Sequence, residues 1–188
     1  MPPRARITRE MVVDAAFEVA RVAGAEGINA RSVSQKLGCS TQPVMWHFRT
    51  IADLRRAAYE RANRFHSEFL LNLRSGQPMM DIGLNYLRFA ATEKPLFRFL
   101  FQSDGFGGRR LSELLDDAEL MPVYEILSRE ARTDVEQAKR IFKFLFLYVH
   151  GYAGMLANNA MGYDEREASE DLERAFQGAV CAAERGER

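Results

Sequence analysis

Five side chains that can bond to or stack on another molecule fall within one short stretch of the sequence, residues 27–48. They are Arg31, Thr41, Gln42, Trp46 and His47. The polar members can hydrogen-bond to base edges or to phosphate oxygens, and the tryptophan adds a large apolar surface. Exposing a tryptophan beside a histidine is costly on an ordinary surface, so the group favours a contact surface.

Two short helices joined by a tight turn are predicted to hold these side chains. Asn29 can cap a helix of about eight residues that ends at Gly38, and Ser40 or Thr41 can cap the next. A longer helix, which Thr8 can cap, precedes them. The buried side of the unit is predicted to consist of Val33, Leu37, Val44 and Phe48. This is the plan of a helix-turn-helix, whose second short helix enters the major groove of DNA.

Each of these side chains also has a purely structural interpretation. The polar residues can form an ordinary solvated face, Trp46 can belong to the core, and His47 can cap or pair within the fold. Asn29 and Ser40 are most simply helix caps under either interpretation. The pattern as a whole favours contact with DNA.

Length and composition place the chain among globular proteins. Its 188 residues, 47% hydrophobic and 28% charged, fit one or two domains with a real core. No stretch approaches the roughly 18 apolar residues of a membrane span, and the first residues lack the apolar segment of a secretory signal. Cys39 and Cys181 lie far apart, which favours neither a metal site nor a disulfide. We therefore expect a soluble, cytoplasmic protein with no membrane partner.

The net charge of zero conceals a division along the chain. Residues 1–66 hold 11 basic and 6 acidic side chains, a net charge of +5, whereas residues 67–188 hold 15 and 20, a net charge of −5. A phosphate backbone is therefore expected to prefer the first part of the chain.

Helical spacing also dominates the rest of the sequence, and no segment alternates as a strand would. Helices are predicted over residues 52–74, 79–93, 96–102, 109–132 (one or two helices), 134–161 and 164–184. The sequence thus predicts an all-α fold of about nine helices. A three-helix domain at residues 1–51 continues through the helix 52–74 into a second helical domain at 52–188.

Over roughly its first 55 residues the sequence resembles the tetracycline-repressor-like (TetR) family of transcriptional regulators. The resemblance rests on a capped first helix, on Gln35-Lys36-Leu37-Gly38 and a Cys-Ser turn, and on Trp46-His47-Phe48 and Leu54 in order. Residues 67–188 are similar only in kind, as a set of helices that ends in two long ones. The resemblance implies a DNA-binding head and a C-terminal domain for ligand binding and dimerisation.

The resemblance also implies base contacts within the head. Arg31 would contact a base, with guanine as the natural partner of its guanidinium group. Thr41, Gln42 and Trp46 would face the groove, and Gln42 can pair with adenine.

Contacts to the phosphate backbone are implied as well. They would come from Ser40 or Thr41, from His47 and from Arg49, with Arg4 and Arg6 in an arm that follows the duplex. Three positions depart from the family pattern: Ala30 stands for a threonine, Met45 for a phosphate-binding tyrosine and Ile51 for a lysine. Each departure removes a backbone contact, so binding is expected to depend more on Arg49, Arg55 and the arm.

Aromatic residues are numerous beyond the predicted head. The set is Tyr86, Phe89, Phe97, Phe101, Tyr124, Phe142, Phe146 and His150. Core packing explains each of them singly. The family resemblance implies instead a pocket for a small effector between these helices, with His150 as its polar anchor.

The last two helices carry small and apolar residues that suit a dimer interface. The candidate interface residues are Gly151, Gly154, Leu172, Ala175, Phe176, Ala179 and Val180. Packing within one chain is the alternative explanation. A two-fold dimer would present two heads to a near-palindromic DNA site.

The resulting hypothesis is a DNA-binding transcriptional regulator, a repressor that a small-molecule effector releases from its operator. Its expected partners are double-stranded DNA, a second copy of the chain and that effector, with no cofactor and no metal. The alternative is a helical adaptor that lacks sequence-specific DNA binding. An enzyme is disfavoured, because no phosphate-binding glycine loop, zinc-protease motif or nucleophile triad is recognisable.

Overall fold

The computed structural model of the chain describes residues 7–102, 108–159 and 161–185. These residues form ten α-helices, a 3₁₀ turn at Ala118–Leu120 and no strand, which confirms the predicted all-α class. The helices are α1 (Arg9–Gly27), α2 (Ala30–Leu37), α3 (Thr41–His47), α4 (Ile51–Leu70), α5 (Pro78–Thr92), α6 (Lys94–Phe101), α7 (Leu111–Leu115), α8 (Met121–Ala131), α9 (Val135–Asn158) and α10 (Glu165–Arg185). The tenth helix arises because the 3₁₀ turn divides the predicted segment 109–132.

The chain divides into two compact units. The first contains the residues up to Ser67 and the segment that begins at Pro95, and the second contains Glu68–Lys94 and the described residues from Gly108 onward. The predicted division between residues 51 and 52 concerns function rather than compactness and stays a prediction. Arg4, Arg6 and residues 103–107 lie outside the described residues. No helix of the described ranges is long and apolar enough to cross a membrane.

The first unit is built on α1, α2 and α3, which pack against one another. Its core contains side chains with no exposed surface, among them Val12, Ala16, Ile28, Val33, Val44 and Leu54. Thr8 caps α1 as predicted, since its Oγ1 accepts a hydrogen bond from the Met11 amide at 3.2 Å. Gly24 interrupts the helix with φ 68° and ψ −169°, so the final turn before Gly27 is offset from the rest of α1.

Two further helices complete the first unit. Side chains of α4 contact α1: Arg61 pairs with Asp14 at 3.1 Å, and the rings of Phe17 and Phe65 meet edge to face at 5.4 Å. On its other side, the Tyr59 hydroxyl of α4 donates to the Leu100 carbonyl oxygen of α6 at 3.3 Å.

Helix α4 ends four residues earlier than the sequence predicts. The Nδ2 amide of buried Asn85 donates to the carbonyl oxygens of Leu70 and Asn72 at 3.0 and 3.1 Å. The carboxylate of Asp81 accepts from the amides of Arg74 and Ser75 at 2.6 and 2.8 Å. These side chains satisfy backbone groups that a longer helix would have used, so the chain turns here. Leu73, which lies within the predicted helix 52–74, is outside α4 and 41% exposed.

The second unit is organised around the long helix α9, which packs against α5, α8 and α10. Aspartates cap the two long helices: Asp134 accepts from the Gln137 amide at 2.8 Å at the start of α9, and Asp164 accepts from the Glu167 amide at 2.9 Å at the start of α10. One core cluster joins α8, α9 and α10. It consists of Leu127, Ala138, Ile141, Leu145, Ala179 and Ala183.

Candidate nucleic-acid interface

A capping box fixes where α2 begins. Oδ1 of Asn29 accepts hydrogen bonds from the amides of Arg31 and Ser32 at 3.1 and 3.0 Å, and Oγ of Ser32 accepts from the Asn29 amide at 3.2 Å. Three backbone donors are thereby satisfied at the start of the helix. Arg31, the second residue of α2, has its side chain at the surface.

The turn between α2 and α3 depends on Gly38. This residue has φ 64° and ψ 32°, a left-handed conformation that glycine adopts without steric cost. The amides of Gly38 and Cys39 donate to the carbonyl oxygens of Gln35 and Ser34 at 3.2 and 3.0 Å. The chain therefore reverses within three residues, and α3 begins at Thr41.

Helix α3 is short and is held by one face. Val44 has no exposed surface and Phe48, which ends the helix, is 3% exposed. On the opposite side Gln42 lies at the surface, and Trp46 is 76% exposed. Ser40 occupies the predicted N-cap position, but its side chain accepts no capping hydrogen bond. Thus α3 is anchored by two apolar residues while its polar residues face outward.

Two contacts tie the end of α3 to the start of α1. The guanidinium group of Arg9 lies over the ring of Phe48, 4.8 Å from its centroid. Nε2 of His47 is 3.0 Å from the carbonyl oxygen of Ile7. Because a carbonyl oxygen only accepts, this ring nitrogen carries the proton and donates it. Residue 7 is thus held beside the last turn of α3.

A shallow cleft of about 260 Å³ lies beside these contacts. Arg9, Arg49 and Arg56 line it together with the carboxylates of Asp53 and Glu60. Arg56 pairs with Asp53 at 2.8 Å. Arg49 lies at the surface immediately after α3.

The structure places all seven predicted DNA-contacting residues at the surface of the first unit. They are Arg31, Ser40, Thr41, Gln42, Trp46, His47 and Arg49. Of the four residues predicted to be buried, Val33, Val44 and Phe48 are, whereas Leu37 is only half-buried. Contact with DNA itself stays a prediction. The partner of His47, Ile7, and the contact between Arg9 and Phe48 could not be identified from the sequence, because each joins residues about 40 positions apart.

The eight aromatic residues predicted to line a ligand pocket are divided between the two units. Phe97 and Phe101 belong to the first unit, where their rings lie 5.0 Å apart, and the other six belong to the second. In the second unit Phe89 has no exposed surface and packs on Phe69 at 5.4 Å. The alternative interpretation, core packing, therefore accounts for much of this set.

A row of rings along α9 holds the remaining predicted pocket residues. Tyr124 meets Phe142 edge to face at 5.3 Å, and Phe146 stacks on both Phe142 and His150, at 6.0 and 5.4 Å. Nδ1 of His150 lies 2.8 Å from the hydroxyl oxygen of Tyr86. Burial lowers the pKa of His150 below its usual value and raises that of Tyr86, which favours the neutral form of both.

A cavity of about 300 Å³ lies elsewhere in the second unit, and none of the eight aromatic residues lines it. Helices α5, α9 and α10 supply most of its wall, and Glu130 of α8 contributes one side. Its lining residues are Gly76, Gln77, Met79, Met80, Gly83, Glu130, Leu145, Val149, Leu172, Glu173 and Phe176. Sequence reasoning missed this cavity because its lining residues come from four helices and a turn and form no motif.

The predicted dimer residues occupy two different environments. On α10, Leu172 and Ala179 are buried within the chain, and Ala175, Phe176 and Val180 pack against its core cluster. On α9, Gly151 is exposed and Gly154 is half-buried, and a side chain at either position would meet no neighbouring atom within 4 Å.

An exposed apolar stripe runs along α9 beside Gly151. It consists of Phe144, Leu147, Tyr148 and Met155, which are between 40% and 54% exposed. Their spacing of three, one and seven residues places them on one face of the helix. No motif or spacing signal in the sequence distinguishes these four residues from a buried helix face.

Within the described ranges, no three His, Cys, Asp or Glu side chains are grouped so that they could hold a metal ion.

Comparison with known proteins supports the fold. No protein-family model matches the sequence, and no curated protein is significantly similar to it. Among solved structures, the chain is similar to a TetR-family transcriptional regulator from Streptomyces coelicolor, with a TM-score of 0.71 and 15% sequence identity. The match covers 97% of this chain and 83% of the other. The two proteins therefore share a fold, as the resemblance of the first 55 residues implied.

Proposed function

We propose that this chain is a DNA-binding transcriptional regulator that reads DNA with α3. The observation that carries the proposal is the two-sidedness of α3: Val44 and Phe48 hold it in the core, while Gln42 and Trp46 face outward. A short helix held in this way can enter a major groove without disturbing the core that supports it. The similarity in fold to a transcriptional regulator supports the same conclusion.

Base contacts are assigned to the exposed residues at the starts of the two short helices. Arg31 can donate two hydrogen bonds to guanine O6 and N7, and Gln42 can pair with adenine N6 and N7. Thr41 and Trp46 adjoin Gln42 on the exposed side of α3 and offer a hydroxyl group and a broad apolar surface, which suits a thymine methyl group.

Phosphate contacts are assigned to the flanks of α3. Arg49 provides a permanent positive charge just beyond the helix. Ser40 offers a hydroxyl group that makes no capping hydrogen bond with α3. Nε2 of His47 already donates to Ile7, so the residue can bond to a phosphate oxygen, which only accepts, when Nδ1 also carries a proton. The same bond holds the start of the described chain beside α3, in a position from which an arm can continue along DNA.

A homodimer is the proposed functional form. The exposed stripe on α9 groups four large apolar side chains on one face of the helix, and Gly151 lets a second helix approach it closely. We assign the partner contact to this stripe and to Gly151 and Gly154. The predicted residues of α10 support the interface from within their own chain. A two-fold dimer then carries two reading helices, which suits a near-palindromic operator.

Repression and release by an effector complete the proposal. An effector changes operator affinity only to the extent that it binds the two states of the dimer with different affinities. We expect the effector to favour a dimer whose two heads do not fit the spacing of the operator, so that operator affinity falls.

Fluorescence anisotropy with labelled DNA from upstream of the encoding gene tests DNA recognition. We expect the affinity for this DNA to fall as the salt concentration is raised. We also expect the affinity for DNA of shuffled sequence to be lower. The double variant Arg31→Ala/Gln42→Ala should lose about 1–3 kcal/mol per lost base contact.

The matched control is Gln102→Ala/Arg129→Ala, which removes the same two residue types from exposed positions outside the head. Equal affinity of the wild type for specific and shuffled DNA contradicts the proposal. Such a result, together with partner binding that survives Arg31→Ala/Gln42→Ala, favours the helical adaptor instead.

A further inference from the structure

The cavity between α5, α9 and α10 has an apolar interior. Leu145, Val149 and Phe176 supply aliphatic and aromatic surface, and Met79 and Met80 supply flexible side chains that adapt to the shape of a guest. Gly83 contributes no side chain, and a Cβ atom there would lie 3.2 Å from Cδ1 of Leu172. At about 300 Å³ the cavity reaches the lower end of the range for small-molecule sites.

The charges on the cavity wall are all of one sign. Glu130 and Glu173 are the only charged side chains among its lining residues. One oxygen of Glu130 accepts from the Met79 amide at 3.2 Å, and one oxygen of Glu173 accepts from the side-chain amide of Gln177 at 2.8 Å. Both bonds are made to neutral donors and leave the negative charge in place.

Neighbouring carboxylates on α10 are neutralised in a way that Glu173 is not. Glu170 pairs with Arg166 and Arg174 at 3.2 and 3.5 Å, and Asp171 pairs with Arg174 at 2.9 Å. Within the described part of the chain, Glu173 and Glu130 form no ion pair. The cavity therefore joins an apolar wall to two solvent-exposed carboxylates that no ion pair within the described residues neutralises.

We propose that this cavity binds a small amphipathic organic cation. Its apolar body lies against Leu145, Val149 and Phe176, and its ammonium group lies near Glu130 and Glu173. The ring of Phe176 adds a cation–π contribution where the charge approaches it. A carboxylate ligand would meet like charges at the same position. The identification of this cation as the effector rests on the function proposed above, whereas its binding to the cavity does not.

Isothermal titration calorimetry on the full chain without DNA tests the binding. The probes are octyltrimethylammonium, uncharged 1-octanol and octanoate, which share a chain length and differ in charge. We expect the cation to bind about tenfold more tightly than octanoate, and its affinity to fall as salt is raised.

Variants that remove negative charges distinguish binding in the cavity from nonspecific adsorption to the protein surface. Glu130→Gln/Glu173→Gln keeps one acceptor oxygen at each position but removes both charges. It should weaken cation binding about tenfold and leave octanol binding unchanged. The matched control Glu125→Gln/Glu167→Gln removes exposed charges from α8 and α10 outside the cavity and should bind like the wild type. Val149→Trp should fill the cavity and reduce binding of all three probes, with circular dichroism as a check of folding.

Octanoate binding as tight as the cation, or unchanged cation binding in Glu130→Gln/Glu173→Gln, overturns the inference. Anisotropy on DNA without any probe keeps the two proposals apart. If the cation binds but DNA binding is not sequence-specific, the proposed ligand class is supported and the proposed regulatory function is refuted. If DNA binding is sequence-specific but the cation does not bind, only the proposed ligand class is refuted. If both bindings occur and the cation leaves operator affinity unchanged, the cation is a ligand but not the effector, and that part of the inference falls.

Discussion

Trp46 shows how one residue can report on the whole interface. It is the only tryptophan in the chain, and three quarters of its side chain is exposed. Its indole fluorescence therefore comes from a single, largely solvated site on the surface of α3.

We predict that acrylamide quenches Trp46 efficiently in the protein alone and poorly in the presence of saturating specific DNA, because a groove contact excludes the quencher. The measurement is a Stern–Volmer titration with and without DNA. Shuffled DNA at the same concentration is the control. Equal quenching in all three samples would place Trp46 outside the contact.

His66 gives the molecule a dependence on pH. It is buried in α4, where its ring meets that of Phe101 edge to face at 5.1 Å, and burial lowers its pKa from 6.5 to about 4. Below pH 6.5 the unfolded chain therefore takes up a proton at this residue that the folded chain does not.

We predict that the free energy of unfolding falls between pH 6.5 and 4, by up to about 1.4 kcal/mol per pH unit from this residue. Urea denaturation followed by circular dichroism at several pH values measures the slope. His66→Leu should flatten it, while His47→Gln, at an exposed histidine, should not. An unchanged slope in His66→Leu would assign the pH dependence to other groups, of which His150 is the next candidate.

At the scale of elements, the helix-turn-helix could be predicted almost completely because its signals are local. Asn29, Gly38 and Thr8 each act within a few residues of their own position, and the caps and the turn are found where they were expected. The end of α4 could not be predicted in this way. It depends on Asn85, a residue about 15 positions further along the chain, whose side chain binds the carbonyl oxygen of Leu70.

Long-range packing likewise explains what the sequence left open in the second unit. The small residues of α10 suited a dimer interface and an internal core equally well, and only the fold places Leu172 and Ala179 inside. The cavity is invisible in the sequence, because its wall combines residues of four helices and a turn, none of which forms a motif.

The turn of the helix-turn-helix gives a prediction about stability. Gly38→Ala should lower the free energy of unfolding by about 1 kcal/mol, since an L-residue pays for the left-handed conformation even though no atom lies within 4 Å of the added Cβ.

The control for Gly38→Ala is Gly178→Ala, at an exposed position within α10 that also has open space. There the helix favours alanine, so stability should rise by roughly 0.5–1 kcal/mol. Denaturation in urea at one protein concentration compares the two variants. If both variants change the free energy of unfolding in the same direction, the left-handed conformation at residue 38 does not explain the effect of Gly38→Ala.

At the scale of the whole molecule, the exposed stripe on α9 predicts the oligomeric state. We expect the wild type to sediment as a dimer at micromolar concentration and Leu147→Glu to sediment as a monomer, because the new charge would be buried without a partner. Analytical ultracentrifugation measures both. Leu71→Glu, at an apolar residue 57% exposed and off α9, is the matched control and should remain a dimer.

Loss of the dimer should also weaken operator binding, since one head then makes only half of the contacts. A wild type that is monomeric at these concentrations would contradict the assignment of the stripe as an interface.

The way α3 is anchored has a consequence for how this protein can change over time. Stability depends on Val44 and Phe48, while the outward residues contribute little to the core. Mutations at Thr41, Gln42 and Trp46 can therefore accumulate without unfolding the head, and new sequence preferences can arise by drift or selection at three codons. The same separation makes this head a practical scaffold for libraries in which those positions are randomised.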